Sequence, residues 1–169
     1  MRARCGERAS PWGCAHHGDM TPRVVRRTDP RLRLSRTRRD QGRGGFFAEA
    51  AEQGFEPGTS VRIAFEPAQD FAEIMGIRPD DEMCVRDRVQ RAEGIPVQLS
   101  VSRIPRVLTQ GTVLEEGDTG VGGMYARLEE SGYRLTDFEE TVTAGPSTAH
   151  ERAALGEDVG TVLRVRRVA

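Results

Sequence analysis

Apolar positions along this chain come in short periodic runs, each closed by glycine or proline. Val61, Ile63 and Phe65 stand two apart, the period of a strand over 60–65 with one face turned inward. Upstream, Phe46, Phe47 and Ala50 predict a short helix over 46–53 that buries all three, with Gly54 as its stop. Pro67 suits the first turn of a helix over 68–75 ended by Gly76. Residues 82–90 and 96–104 read as two strands joined through Ala92-Glu93-Gly94, the best hairpin in the chain. A loop over 111–120 leads into a helix from about 122 to 131, with Asp118 or Thr119 near its start and Gly132 beyond its end. A long strand over 133–144 follows, and Thr148-x-x-Glu151 is a capping box opening a helix over 148–155. A last strand spans 161–168. The sum is an α+β fold, a largely antiparallel sheet with short helices packed against it.

Part of this pattern occurs twice. Strand, proline, short helix, glycine, acidic turn and an arginine-alternating strand recur, with Pro67 and Pro146 79 positions apart, Gly76 and Gly156 80, and Arg86 and Arg164 78. The repeat predicts one domain built from two similar halves. The first half returns through Pro96 to Val101, whereas nothing follows the arginine strand of the second except Arg167, Val168 and Ala169, so the domain is expected to be C-terminally truncated.

The hairpin carries the most suggestive chemistry. Arg86 and Arg88 share one face of its first strand, and Gln98, Ser100 and Ser102 share one face of its second. If the apolar faces align, these groups meet on the opposite face, leaving Asp87 among Val85 and Val89, against the pattern. Two guanidiniums on one strand form a rigid, permanently charged fork for a carboxylate or phosphate. A solvated outer face paired with glutamates is the competing reading. Gly120-Val121-Gly122-Gly123-Met124-Tyr125 opens a helix whose amides suit an anion, though an ordinary glycine-rich loop explains it alone. Glu139 and Glu140 fall on opposite faces of a strand, and charge balance with Arg164 or Arg166 is slightly favoured over ligand contact.

The net charge of −1 conceals a division, because residues 1–43 sum to +8 and residues 44–169 to −9. Residues 1–33 have neither helical nor strand period and are read as a disordered arginine-rich leader before a domain over 34–169. Its arginines lack the interleaved aromatics or recognition helix of a specific nucleic-acid binder. Cys5, Cys14, His16 and His17 match no zinc-finger spacing, so no metal is expected. Three scattered cysteines argue for a reducing cytoplasm rather than a disulfide framework, and Cys84 reads as a small apolar residue. No apolar run is long enough for a membrane span, the first residues lack a signal peptide's apolar stretch, and no serine or cysteine sits in a nucleophile motif. No cofactor is expected.

Taken in order, Gly44-Gly45-Phe46, Gly54-Phe55, Met75-Gly76-Ile77, Val85-Arg86-Asp87-Arg88, Glu93-Gly94-Ile95-Pro96-Val97, Ser102-Arg103-Ile104-Pro105, Gly122-Gly123-Met124-Tyr125-Ala126-Arg127-Leu128 and Leu155-Gly156 form one series. That series resembles the UTRA domain, the effector-binding half of HutC-type GntR-family transcription regulators, over about 34–169. The resemblance implies a chorismate-lyase-like fold, homodimerisation and a small anionic or polar effector held by Arg86, Arg88, Gly123, Met124 and Tyr125. Gln98, Ser100 and Glu140 join them as candidates from the neighbouring strands. The chain departs from the family where Gln98 replaces a common carboxylate and Gly122 or Gly123 a common serine, both features of phosphosugar sites. Residues 1–33 are too short and unpatterned for a winged helix-turn-helix, so DNA contact is expected only through such a module outside this chain. The resulting expectation is an effector-sensing domain, not an enzyme. The alternatives are a non-functional fragment of such a regulator or, less favoured, a chorismate-lyase-like enzyme using Arg86 and Arg88 for a substrate carboxylate and Glu139 or Glu140 as acid or base.

Overall fold

A computed structural model describes residues 45–169. The arginine-rich leader and the Cys5, Cys14, His16 and His17 group lie outside the described residues. Helix α1, Gly45–Glu52, buries Phe46 and Ala50 as its spacing predicts, but Phe47 is about half exposed. Adjacent helical positions point about 100° apart, so a single apolar stripe holds one phenylalanine and leaves its neighbour edge-on at 5.9 Å.

Strand β1, Pro57–Pro67, is longer than predicted at both ends. Pro67 therefore closes a strand, opposite Glu82, instead of opening a helix. The helix expected after it is broken into a 3-10 turn, Gln69–Phe71, and one α turn, α2, Ala72–Met75. Gln69 has a φ of 44°, which no continuous helix accommodates, and Gly76 ends α2 in the left-handed region. Ala68, Ala72 and Met83 make a small core beneath this segment.

Strands β2, Glu82–Ala92, and β3, Ile95–Pro105, form the predicted hairpin and complete an antiparallel sheet in the order β1-β2-β3. The register places Ile63, Arg86 and Ser102 in one row and Val61, Arg88 and Ser100 in the next. The arginines thus share their face with the apolar residues of β1, and Arg86 is only 2% exposed. Asp87 falls on the other face, opposite Arg62, whose Nη2 donates to it at 3.4 Å. Val101 on that face is half exposed, so the carboxylate sits at solvent and not in a core.

After β3 the chain makes two 3-10 turns, Arg106–Leu108 and Val113–Glu115, then helix α3, Gly123–Glu130. The second turn occupies what reads as plain loop in the sequence. It inserts Leu114, 0% exposed, between Ile104 of β3 and Leu128 of α3.

A second sheet holds β4, Glu139–Pro146, and β5, Thr161–Val168, joined by α4, Ala149–Leu155. The capping box of α4 forms as predicted, with the Thr148 hydroxyl accepting from the Glu151 amide and the Glu151 carboxylate accepting from the Thr148 amide. The long strand expected over 133–144 begins only at Glu139. The β5 register reaches no further than Val168 opposite Glu139, leaving 133–138 without a backbone partner strand.

The two halves do repeat as strand, helix and antiparallel strand. In each, the closing proline lies opposite the first residue of the returning strand, Pro67 opposite Glu82 and Pro146 opposite Thr161. Counted from those ends, Arg86 corresponds to Val165 and Val85 to Arg164. A one-residue offset moves every side chain to the other face, so the arginines of the two halves are not equivalent. Arg164 and Arg166 face away from the row that holds Leu163 and Val165. No helix of the described residues is long and apolar enough to cross a membrane.

Candidate functional site

Strands β2 and β3 bring Arg88, Gln90, Gln98, Ser100 and Ser102 onto one patch, because the pairs Arg88–Ser100 and Gln90–Gln98 lie directly opposite each other. Directly opposed residues share a face and nearly touch. Arg88 Nη2 donates to Ser100 Oγ at 3.0 Å and also to Ser102 Oγ. Its Nε is buried with no acceptor among the described residues, as is that of Arg86. Burial, and then the neighbouring Arg86 charge, push its pKa below the ordinary arginine value. A buried guanidinium disfavoured in this way gains most from an incoming anion.

Arg86 lies on the same face but is engaged differently. Its Nη1 donates to the main-chain carbonyls of Leu114 and Glu116, and its Nη2 to that of Gly117 at 3.2 Å. Desolvation lowers its pKa as well. Of the predicted arginine fork, one member is anchored in the 114–117 turn and the other, Arg88, is held by two hydroxyls.

Helix α3 starts beside this patch. Gly122 is its N-cap, at a φ of 85°, and no side chain caps it. Asp118, expected near the helix start, accepts from the Gly120 amide at 2.8 Å, and Gly123 N–H donates to Gly120 O at 3.1 Å. Both glycines at 122 and 123 have positive φ, a turn that residues with a Cβ rarely adopt. The first-turn amides of an uncapped helix carry partial positive charge. An open groove passes this point, lined by Arg88, Gln90, Ser100, Ser102, Gly123 and Tyr125 among others. Met124 and Tyr125 also pack around the Ile104, Leu114 and Leu128 core. Tyr125 meets Phe138 edge-on at 5.6 Å.

Glu140 lines the groove from β4 but is bonded to Arg167, through both Nε at 2.7 Å and Nη2. The charge balance favoured in the sequence therefore exists, with Arg167 in place of Arg164 or Arg166. Arg164 instead pairs with Glu151. Two groove residues are missing from the sequence candidates. Ser102 shares the polar face of its strand with Ser100, and Gln90 extends the alternation Arg86-x-Arg88 by one more step. Among the described residues no His, Cys, Asp and Glu cluster suited to a metal is present.

The UTRA domain family matches residues 52–169. The chain belongs to the UTRA family. Solved structures agree in fold. A GntR-family transcriptional regulator structure shares 28% identity and a TM-score of 0.62, over 72% of this chain and 54% of that one. The effector domain of PhnF from Mycobacterium smegmatis shares 22% identity and a TM-score of 0.63, over 73% of this chain and 76% of that one. The C-terminal domain of the histidine utilization repressor from Pseudomonas syringae pv. tomato str. DC3000 shares 24% identity and a TM-score of 0.58, over 66% and 79%. The UTRA chain spans about half the length of the first of these regulators. No curated protein matches it. The α+β, chorismate-lyase-like architecture expected from the sequence is the fold found.

Proposed function

We propose that this UTRA chain is the effector-sensing domain of a HutC-type GntR-family regulator, binding a small anionic or polar molecule and controlling operator binding in the intact protein. The observation that carries the reading is Arg88, a half-buried guanidinium held by Ser100 and Ser102 on the groove that α3 enters by its uncapped end. In this reading Arg88, Ser100, Ser102 and the amides of Met124 and Tyr125 contact the effector's anion, with Gly123, whose own amide donates to Gly120 O, shaping the turn beside it. Arg86 positions the 114–117 turn and through it α3, while Gln98 and Glu140 border the ligand. Effector binding shifts the populations of two dimer arrangements that differ in operator affinity. DNA contact passes through a winged helix-turn-helix module, and homodimerisation, a cytoplasmic location and the absence of catalysis belong to the same proposal. Glu140, one of the groove's carboxylates, supports a binding role because Arg167 already occupies it.

A thermal-shift screen of the chain against phosphosugars, organic acids and amino acids tests the proposal. The expected result is a rise in midpoint with one ligand class that Arg88→Ala abolishes. A ligand response that survives Arg88→Ala places the effector elsewhere.

A further inference from the structure

Gln90 is a buried amide with unfinished hydrogen bonding. It is 7% exposed, lines the groove, and its Oε1 accepts from no donor among the described residues. A buried polar atom left unpaired carries a desolvation cost that nothing offsets, so a position where one persists calls for a partner that arrives later. It sits on the same strand face as Arg88, two residues further on, which spaces the two groups about 7 Å apart. Its cross-strand neighbour is a second glutamine, Gln98. This end of the patch therefore offers Gln90 Oε1 as an acceptor, while three charged groups along the groove are already engaged: Arg86 with the 114–117 turn, Glu140 with Arg167, and Glu49, 3% exposed, with a partner of its own.

We infer that Gln90 is a specificity-determining residue. It reads an uncharged hydrogen-bonding group, a carboxamide above all, on an organic anion whose charged end sits on Arg88. A second carboxylate there would leave Oε1 without a donor, and for an ammonium the groove carboxylates Glu49 and Glu140 already have partners. An apolar tail would leave Oε1 unpaired, whereas a carboxamide both donates to it and accepts in return. The inference rests on the anion reading of Arg88 and names the chemistry of the far end of the same ligand.

The test is an NMR titration of the full chain with three probes of matched length: adipamate, adipate and hexanoate. The Gln90 side-chain amide is assigned by its loss in Gln90→Leu. The expected result is that adipamate perturbs both the Gln90 side-chain amide and the backbone amides of 123–125. Adipamate should also bind about tenfold or more tightly than either adipate or hexanoate. In Gln90→Leu that preference is expected to disappear while hexanoate binding persists, and in Gln90→Glu preference is expected to move away from both acids. If adipamate perturbs 123–125 but not Gln90, or if Gln90→Leu keeps the preference, the inference fails and the anion site stands. If no probe perturbs 123–125, the anion reading of Arg88 fails, and the inference with it.

Discussion

The main-chain carbonyl of Leu114 accepts from the Arg86 guanidinium while its side chain is fully buried against Ile104 and Leu128. One residue of a turn thus ties β2 to α3 from both its polar and its apolar side. Because Glu116 and Gly117 add two more carbonyls to the same guanidinium, the approach to α3 is fixed by a side chain of the strand that also carries Arg88. The spacing between Arg88 and the α3 N-terminus is therefore set by a buried strut and not by the ligand. Such preorganisation lowers the ordering cost of binding.

The two arginines should separate cleanly on mutation. Arg86→Ala removes three charge-assisted bonds, empties the site of a buried side chain and leaves the Leu114 carbonyl with only the Cys84 thiol, a loss expected to reach about 2–4 kcal/mol. Arg88→Ala leaves only two serine hydroxyls, both beside the groove, and is expected to cost under about 1.5 kcal/mol while eliminating anion binding. Urea unfolding of the two variants alongside ligand titration decides it. Equal stability losses would mean that Arg88 is as structural as Arg86.

Leu114→Ala is expected to destabilise the domain by about 2–5 kcal/mol, the range for truncating a buried leucine. Its second consequence is more specific. With the turn loosened, effector affinity should fall although Leu114 lies outside the residues proposed to touch the ligand, and both effects are readable from a single ligand-dependent thermal melt. A destabilised variant with unaltered affinity would separate α3 placement from the Leu114 core.

Much of this arrangement is legible in the sequence, and the failures share a cause. Period-two alternation placed Arg86, Arg88, Gln98 and Ser100 on one face, and Thr148-x-x-Glu151 located the start of α4, because both signals are local. The role of Arg86 was not legible, since its partners are backbone carbonyls about thirty positions away and carbonyls carry no sequence signature. The burial of the arginine face is hidden for a related reason, although the expected apolar face is buried as well at Met83 and Val85. Arginines and serines read as solvent-facing until the register of β1 sets Val61 and Ile63 beside them. The offset between the halves also hid in plain spacing, because 78 and 79 positions differ by one residue and one residue turns a strand face over.

Cys84 should be chemically silent in the native chain. It is fully buried, burial pushes its thiol pKa upward, and its Sγ lies 3.8 Å from the Leu114 carbonyl. A thiol that stays protonated and out of solvent is a poor nucleophile. Peptide-resolved alkylation with iodoacetamide is expected to label Cys84 only in denaturant, and to label it earlier in Leu114→Ala. Native-state labelling at the rate of an exposed cysteine would contradict the packing of this core.

The Glu151–Arg164 pair gives the second half a pH dependence of known sign. Glu151 accepts from Arg164 Nε at 2.8 Å and Nη2 at 2.6 Å and from the Thr148 amide at 2.7 Å, while Arg164 Nη2 also donates to Pro146 O at 2.8 Å. Gly145 lets the guanidinium in, since a Cβ there would stand 3.2 Å from it. The Arg164 hydrogen bonds, followed by the Thr148 amide, lower the Glu151 pKa from 4.5 to about 2. A carboxyl whose folded pKa is depressed stabilises the fold above its unfolded pKa and loses that contribution as pH falls towards the folded value. Wild type should therefore unfold at a higher temperature than Glu151→Gln at pH 7. The gap should narrow below pH 4.5 and close near pH 2. Comparing melting midpoints of the two proteins across that range removes the background from other carboxylates, which titrate in both. A gap that stays constant from pH 7 down to pH 2 would show that the ionisation of Glu151 adds nothing to stability.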